Sequence, residues 1–285
     1  MTSHMSFDRI PSLGKQYLRA AARRRMTLAR EEAAPRICAE VVSIVFPPKQ
    51  LLGYRKLCHF ADGHGTLPLP APHLLTTPLH LSILTHPAFP LPAMGMVHAS
   101  NTIKQIERIP ANSAMDIICT LTDTRWLENG VEIDIETKIQ VNGKMVWEEV
   151  SSYFQRTGKS NAKPSEATPQ QAEHTWRLHS SLGREYGAIS GDRNPIHLWP
   201  TTARLFGFKR HIVHGMWTLA RCVAQLESEQ SSDACTLQVN FRRPCFLPCD
   251  VGFSSEKVND ATQFRVFNQG TGKDYLDGRL SSSLL

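Results

Sequence analysis

The order of elements along the chain constrains the fold most, because an apolar helix followed by antiparallel strands is predicted twice. In the first half, residues 73–89 form an apolar, helix-like stretch, and strand-like segments begin near Val97. In the second half, residues 212–229 carry apolar side chains at helical spacing, and four strand-like segments follow. Such a repeat in a chain of 285 residues predicts two copies of one α+β unit in which a sheet wraps a helix.

A polar segment with two prolines marks the boundary between the two copies. Residues 158–171 (GKSNAKPSEATPQQ) show no apolar periodicity and are typical of a linker. We therefore predict a first domain over 1–157 and a second over 172–285. Within the first, residues 114–156 alternate apolar and polar side chains around Asn142-Gly143, a pair typical of a two-residue β-hairpin turn.

The net charge of +6 and the pI near 9.0 raise the question of a nucleic-acid partner. One segment, residues 15–30, carries the whole excess through its basic residues, with no acidic residue among them: Lys15, Arg19, Arg23, Arg24, Arg25 and Arg30. Nucleic-acid binding proteins usually spread their basic residues over a folded face. We interpret the segment as a solvated helix face and expect no nucleic-acid binding.

Composition and the cysteine pattern predict a globular protein of a reducing compartment. Hydrophobic residues make up 41% of the chain and charged residues 20%, which is enough to bury a core. The seven cysteines are an odd number without a CxxC pair, so we expect free thiols, no zinc site and a cytosolic location. No window approaches the roughly 18 apolar residues of a membrane span, and no signal peptide is recognisable. The fold prediction leaves out residues 1–5.

The densest group of chemically distinctive residues lies between 186 and 217. Ser190-Gly191-Asp192 and Asn194-Pro195 are strong turn formers, so residues 190–195 are predicted to form a loop. Asp192 and His197 are five residues apart across that loop, which directs a carboxylate and an imidazole at one small volume. Such a pair handles protons near neutral pH. Taken without their surroundings, Asp192 and His197 have a plainer interpretation, namely an Asp that caps a helix and a His in the core.

A second feature, His214-Gly215-Met216, stands at the beginning of the long second-half helix. A glycine there leaves its N–H uncovered, and the helix dipole adds partial positive charge at the same point. This arrangement stabilises an oxygen on which negative charge develops. The chain has no serine elbow, P-loop or GxGxxG motif, so esterase, NTPase and Rossmann interpretations have no support in it.

These motifs resemble a known family. The run from Ser190 to His197 (SGDRNPIH), followed by Ala203, Phe206-Gly207-Phe208 and residues 212–216 (IVHGM), is similar to the MaoC-like (R)-specific enoyl-CoA hydratases, also called hydratase 2. The resemblance covers the second half well. The first half resembles only in outline the degenerate amino-terminal domain of two-domain members. The resemblance implies a double hot-dog fold, in which two antiparallel sheets each wrap a central helix.

The resemblance also implies a reaction, the reversible syn hydration of a trans-2-enoyl thioester to the (3R)-hydroxyacyl thioester, as in fatty acid metabolism. Asp192 would activate a water, His197 would hold that water and exchange a proton with the α-carbon, and the Gly215 N–H would bind the thioester carbonyl. Asn194 and Ser190 would support the loop. His214 would orient the loop or take part in the chemistry. No metal or redox cofactor is implied, since CoA or phosphopantetheine enters with the substrate.

The chain departs from the family at two places. Members commonly carry an acidic residue two positions after the histidine, where this chain has Trp199. The first-half stretch 54–68 contains Asp62 and His64 but lacks the Asn-Pro turn. We therefore predict that the first half is catalytically inactive and shapes the acyl tunnel.

Several assignments have two interpretations at this level. Four basic residues either meet the phosphates of CoA or lie on a solvated surface: Lys209, Arg210, Arg242 and Arg243. Trp217 fills either the core or the tunnel wall. The alternatives to a hydratase are a non-catalytic acyl-thioester-binding hot-dog protein and a hot-dog thioesterase. The acyl carrier is either CoA or acyl carrier protein. The two hot-dog units form a pseudo-dimer within one chain, and two such chains could form a homodimer.

Overall fold

A computed structural model describes residues 2–22, 28–61, 65–158, 169, 171–227 and 232–284. Three parts of the sequence prediction lie outside these residues. They are the arginines at 23, 24 and 25 of the basic segment, the first-half residues Asp62 and His64, and most of the linker 158–171.

The first half contains three helices and six strands among the described residues. In chain order they are β1 (Ser3–Phe7), α1 (Leu13–Ala22), β2 (Ile37–Val45), α2 (Pro48–Cys58), α3 (His73–Leu84), β3 (Val97–Gln105), β4 (Ala114–Leu127), β5 (Gly130–Val141) and β6 (Lys144–Arg156). The hairpin between β5 and β6 turns at Asn142 and Gly143, both with positive φ, as the sequence predicts.

The second half contains four described helices and five strands. They are β7 (His174–Leu178), α4 (Leu182–Ser190), α5 (Pro195–Leu198), α6 (Pro200–Leu205), α7 (Gly215–Gln225), β8 (Cys235–Phe241), β9 (Cys249–Val258), β10 (Ala261–Phe267) and β11 (Asp274–Ser281). The four strands after α7 are the four that the sequence predicts.

All described strands belong to one sheet of eleven, in the order β1-β2-β4-β5-β6-β3-β8-β11-β10-β9-β7. Every pair is antiparallel except β1 and β2. The halves meet where β3 pairs with β8, with Asn101 opposite Val239 and Ile103 opposite Leu237. Each half thus places its strands around one central helix, α3 or α7, and the predicted double hot-dog fold is confirmed.

The two central helices are both largely buried. Helix α3 is buried nearly all round, since ten of its twelve residues are buried. Helix α7 begins three residues later than predicted, because Val213 donates a backbone hydrogen bond to the Cys245 carbonyl and extends the chain before it (3.0 Å). Trp217 on α7 is only 3% exposed and donates its indole N–H to the Leu57 carbonyl of α2 (3.2 Å). This tryptophan therefore joins the halves through the core.

The amino-terminal region differs from the prediction in two ways. Residues 3–7 form the edge strand β1, so it was wrong to leave residues 1–5 out of the fold. Helix α1, within the basic segment, is solvated on one face only. On its other face Gln16 and Ala20 are buried, and Gln16 donates to Ser82 of α3 (2.8 Å). Packing against α3 therefore docks this helix on the core.

No helix among the described residues is both long enough and apolar enough to cross a membrane.

Candidate active site

A cavity of about 980 Å³ is lined by residues of both halves. The second half contributes the loop between α4 and α5 and the beginning of α7. The first half contributes residues of α1, α3, β3 and β6. The residues predicted to carry the chemistry, Asp192, His197 and Gly215, all line this cavity, together with the predicted supporting residues Ser190, Asn194 and His214.

The loop that presents Asp192 is held by its own polar residues. Helix α4 ends at Gly191, whose φ of 79° favours glycine. The Ser190 hydroxyl accepts the Asp192 N–H (3.1 Å) and donates to the Tyr186 carbonyl (2.8 Å). The Asn194 N–H donates to Asp192 Oδ1 (3.1 Å), while Asn194 Oδ1 accepts the Ile196 N–H and caps α5 (3.3 Å). These turn residues therefore direct the carboxylate into the cavity.

Asp192 has a third partner from the other half of the chain. The Tyr17 hydroxyl of α1 donates to Asp192 Oδ1 across a sequence separation of 175 residues. Burial by itself would raise the pKa of Asp192. The neighbouring His214 and His197 and the hydrogen bonds from Tyr17 and Asn194 outweigh burial and hold that pKa below its ordinary value. The carboxylate is thus ionised at neutral pH.

His197 is held in one tautomer. Its Nδ1 lies 2.8 Å from the Ile212 carbonyl, which can only accept, so Nδ1 carries the proton. Nε2 of the neutral ring is then an acceptor. Burial lowers the pKa of His197 below its ordinary 6.5, against the opposing effect of Asp192. The ring is therefore neutral and able to take up a proton at neutral pH.

His214 supports this pair. Its Nε2–H donates to the Asp192 carbonyl (3.0 Å), and its ring stacks on His197 with centroids 3.8 Å apart. Its Nδ1 is buried and has no hydrogen-bond partner among the described residues. Burial lowers the pKa of His214 to about 3, so the ring is neutral. His214 thus orients the loop and the His197 ring, in agreement with the plainer of its two predicted roles.

The three side chains converge closely enough to share a small molecule. A carboxylate oxygen of Asp192 and one ring nitrogen each of His197 and His214 lie within 4.8 Å of one another. A water that donates to two acceptors at about 2.8 Å each spans roughly 4.6 Å between them. These are also the described residues whose donor set could hold a metal ion. Because His214 Nε2–H already donates to the Asp192 carbonyl, we expect Asp192 and His197 to share a water at this point.

Gly215 opens α7 at the cavity wall. The first N–H groups of a helix have no acceptor within the helix, and the dipole makes them slightly positive. A Cβ at this position would lie 2.8 Å from two ring atoms of Phe241. The packing of Phe241 therefore favours glycine, and the small residue keeps the backbone N–H accessible from the cavity.

The predicted substrate-binding residues divide into two groups. Arg242 and Arg243 line the cavity, and Arg242 also pairs with Asp277. Lys209, Arg210 and Trp217 are not among the described residues that line it. The departure at Trp199 has a structural explanation, since the Arg184 guanidinium lies 3.9 Å above its ring.

Two sets of cavity residues escaped the sequence analysis. One is Tyr17, which reaches Asp192 from the face of α1 that packs on α3. The other is a polar group in the first half that includes His73, His80 and His98. Their signal in the sequence is weak, although His73 and His80 are seven residues apart and so share one face of an apolar helix.

Comparisons with known proteins agree with this geometry. Residues 160–277 match the model of the MaoC-like domain. The 3-hydroxyacyl-thioester dehydratase X of Mycobacterium tuberculosis is 29% identical over 93% of this chain and 96% of its own. The enoyl-CoA hydratase ChsH3 of the same organism is 26% identical over 57% of this chain and 58% of its own.

Among solved structures, HtdX of Mycobacterium tuberculosis matches with a TM-score of 0.76 and 27% identity. The match covers 85% of this chain and 98% of that one. The motif residues that carry the sequence resemblance, SGDRNPIH and the His-Gly pair, lie inside the matched domain. The second half of the chain therefore contains a MaoC-like domain.

Proposed function

We propose that this protein catalyses the reversible hydration of trans-2-enoyl thioesters to (3R)-hydroxyacyl thioesters. The observation that carries the proposal is the placement of Asp192 and His197 within one water of each other, in the same cavity as the Gly215 N–H. The names of two relatives, a 3-hydroxyacyl-thioester dehydratase and an enoyl-CoA hydratase, support the same reaction class.

Substrate binding places the thioester carbonyl at the beginning of α7. The Gly215 N–H donates to the carbonyl oxygen, and this interaction strengthens as the oxygen gains negative charge in the enolate. The C2–C3 bond then lies beside the water that Asp192 and His197 share. A preformed site of this kind holds the reacting atoms close without further rearrangement.

The proton steps use the His197 tautomer in which Nδ1 carries the proton and Nε2 is free to accept one. The water oxygen forms a bond to C3, one water proton passes to His197 Nε2, and the electrons of the C2–C3 double bond move toward the carbonyl. His197 then gives its proton to C2 on the same face. Asp192 accepts a hydrogen bond from the second O–H of the water, and its negative charge stabilises the imidazolium. Both side chains regain their initial states, and dehydration runs through the same steps in reverse.

The finer parts of the proposal concern carrier, cofactor and location. Arg242 and Arg243 at the cavity suit a phosphate-bearing carrier, which CoA and the phosphopantetheine of an acyl carrier protein have in common. The steps above need no metal or redox cofactor. No disulfide bond joins cysteines among the described residues, which supports the proposed cytosolic location. We also propose that two copies of the chain can form a homodimer.

An assay with crotonyl-CoA tests the function. We expect the enoyl absorbance to disappear without release of thiol, and the product to be (3R)-3-hydroxybutyryl-CoA by chiral chromatography. Thiol release without hydration would instead identify a thioesterase. A shift of the melting temperature by crotonyl-CoA without any turnover would identify a non-catalytic binding protein.

A further inference from the structure

A second group of polar side chains lines the cavity from the first half. We call it the first-half polar cluster and define it by His73, His80, His98, Tyr153 and the carboxylate of Glu149 behind them. The side chains of His73 and Glu149 are only 6% and 0% exposed. A tunnel for a plain hydrocarbon chain would not need three histidines and a tyrosine in its wall, because unpaired polar groups are costly to bury there.

Most members of the cluster satisfy one another. Glu149 accepts hydrogen bonds from His73 Nδ1 (2.7 Å) and Asn101 Nδ2 (2.6 Å), and these partners lower the pKa of the carboxyl to about 2 despite its burial. His80 uses both ring nitrogens, one with the Tyr153 hydroxyl (2.9 Å) and one with Thr137 (2.8 Å). Apart from Asn101 Oδ1, which is buried without a hydrogen-bond partner among the described residues, these groups form a structural network of their own.

His98 is the exception. Its Nε2 is buried and has no hydrogen-bond partner within the described part of the chain. The ring is held firmly, since it stacks on Tyr153 with centroids 4.9 Å apart and packs against Phe241 at 5.0 Å. His98 lines the cavity, so a ligand group that reaches Nε2 would satisfy a polar atom that the described residues leave unpaired.

The chemistry of that missing group follows from the tautomer. The Ser100 backbone raises the pKa of His98, as an acceptor beside a ring N–H does, and because Nε2 has no partner among the described residues we assign that N–H to Nδ1. Burial nevertheless lowers that pKa to about 3, and the ring is neutral at physiological pH. Nε2 is therefore a pure acceptor that requires a donor such as a hydroxyl.

The surroundings place that donor on the acyl part of a substrate. Phe241, which packs against His98, is also the ring in contact with Gly215, so His98 lies one aromatic ring away from the expected thioester carbonyl. The α3 residues that line the same wall include Leu74, Leu81 and Leu84, which suit a hydrocarbon chain.

We propose that His98 forms a hydroxyl-binding subsite, and that the preferred substrates are thioesters whose acyl chain carries a hydroxyl group beyond the one that the reaction adds or removes. The inference rests on the proposed function for the identity of the substrate. Recognition of the acyl hydroxyl then belongs to the first half of the chain, which lacks the catalytic loop. The pantetheine arm of the thioester offers other donors, its two amide N–H groups and its own hydroxyl, and the experiment separates these from the acyl hydroxyl.

Binding of saturated, unreactive ligands tests the subsite without any need for turnover. Isothermal titration compares octanoyl-CoA with isomers that carry one hydroxyl at each carbon from the fourth to the eighth. We expect at least one isomer to bind the natural protein about tenfold more tightly than octanoyl-CoA, as one well-formed buried hydrogen bond would give. In the His98→Phe variant, which keeps the ring stacking and loses the acceptor, this ratio falls to about one.

The His98→Gln variant is the matched control, since its amide oxygen restores an acceptor near the position of Nε2 and should recover part of the ratio. Three results would overturn the proposal: no isomer binds more tightly, the preference survives in His98→Phe, or His98→Phe weakens octanoyl-CoA and all isomers equally. The last result would assign His98 to the pantetheine arm. Because the ligands do not react, failure of the proposed function would show separately, as absence of crotonyl-CoA hydration.

Discussion

The two halves of the molecule follow one plan and use their buried polar groups differently. Each half places the beginning of its central helix at the shared cavity. In the first half, α3 begins with His73, whose Nδ1 is engaged with the carboxylate of Glu149. In the second half, α7 begins with Gly215, and beside it His197 Nε2 and the Asp192 carboxylate retain hydrogen-bonding capacity.

Within one fold, the buried polar groups of the first half therefore serve mainly structure, whereas those of the second half are available for chemistry. Buried polar groups that satisfy each other rigidify a core and have nothing left for a substrate. Groups that are held in place by backbone carbonyls and turn residues, as Asp192 and His197 are, keep their reactive atoms free. We therefore propose the second half as the reactive one, while in the first half His98 alone of the cluster's histidines has a buried ring nitrogen without a hydrogen-bond partner among the described residues.

Removal of the acid/base pair should have the largest effect. We expect Asp192→Asn and His197→Gln each to lower kcat/KM for crotonyl-CoA hydration by at least about 10²-fold, the typical contribution of a positioned acid/base group. His4→Gln is the control, because His4 lies on the exposed strand β1. Near-normal rates in either site variant would contradict the assignment of the reactive half.

Loss of the buried carboxylate should instead affect stability. Glu149→Gln removes the negative charge that accepts hydrogen bonds from His73 and Asn101, and we expect the free energy of unfolding to fall by about 3–5 kcal/mol in urea titrations. Glu148→Gln, on the opposite face of β6, should change it by no more than about 0.5 kcal/mol.

The pH dependence of that stability has a defined sign. The pKa of Glu149 falls from its ordinary 4.5 in the unfolded chain to about 2 in the folded one. Its contribution is thus fully present above pH 4.5 and is lost as the pH falls toward 2. Glu149→Gln should lack this component. Equal acid dependence in both proteins would show that the carboxylate does not have the ionised role described.

The helix N-terminus of the second half can be tested with two substitutions at one position. Gly215→Ala keeps the backbone N–H but displaces Phe241, whereas Gly215→Pro also removes the N–H, and proline is compatible with the first position of a helix. We expect the proline variant to lose roughly a further 10²-fold in kcat relative to the alanine variant. Equal activities, with unchanged circular dichroism, would exclude a role for this N–H.

The contact between the halves at Tyr17 should have the smallest of these effects. Tyr17→Phe removes one hydrogen bond to Asp192, and we expect kcat to fall about tenfold with KM unchanged, because a bond to a charged group is lost while the substrate-binding groups stay in place. Arg19→Gln, exposed on the same helix, should have normal kinetics. A change confined to KM would indicate that Tyr17 contacts substrate rather than positions Asp192.

Sequence reasoning recovered the local features of the fold and of the site. Asn142-Gly143 turns a hairpin, the 73–89 stretch contains α3, and the loop after Ser190 presents Asp192. It predicted a solvated helix face for the basic segment, which agrees with the exposed Arg19, but it did not anticipate Tyr17, because the docking of that helix on α3 depends on contacts between distant segments such as Gln16 and Ser82.

What the sequence determined by itself is therefore the set of features that short-range physics controls: turns that need particular backbone angles, helical and alternating periodicity, and a motif whose spacing holds a carboxylate near an imidazole. Only the tertiary structure decided which buried polar groups neutralise each other and which stay available. Whether Glu149 meets His73, Tyr17 meets Asp192 or His98 Nε2 stays without a hydrogen-bond partner among the described residues depends on the packing of segments far apart in the chain, where burial strengthens each pairing.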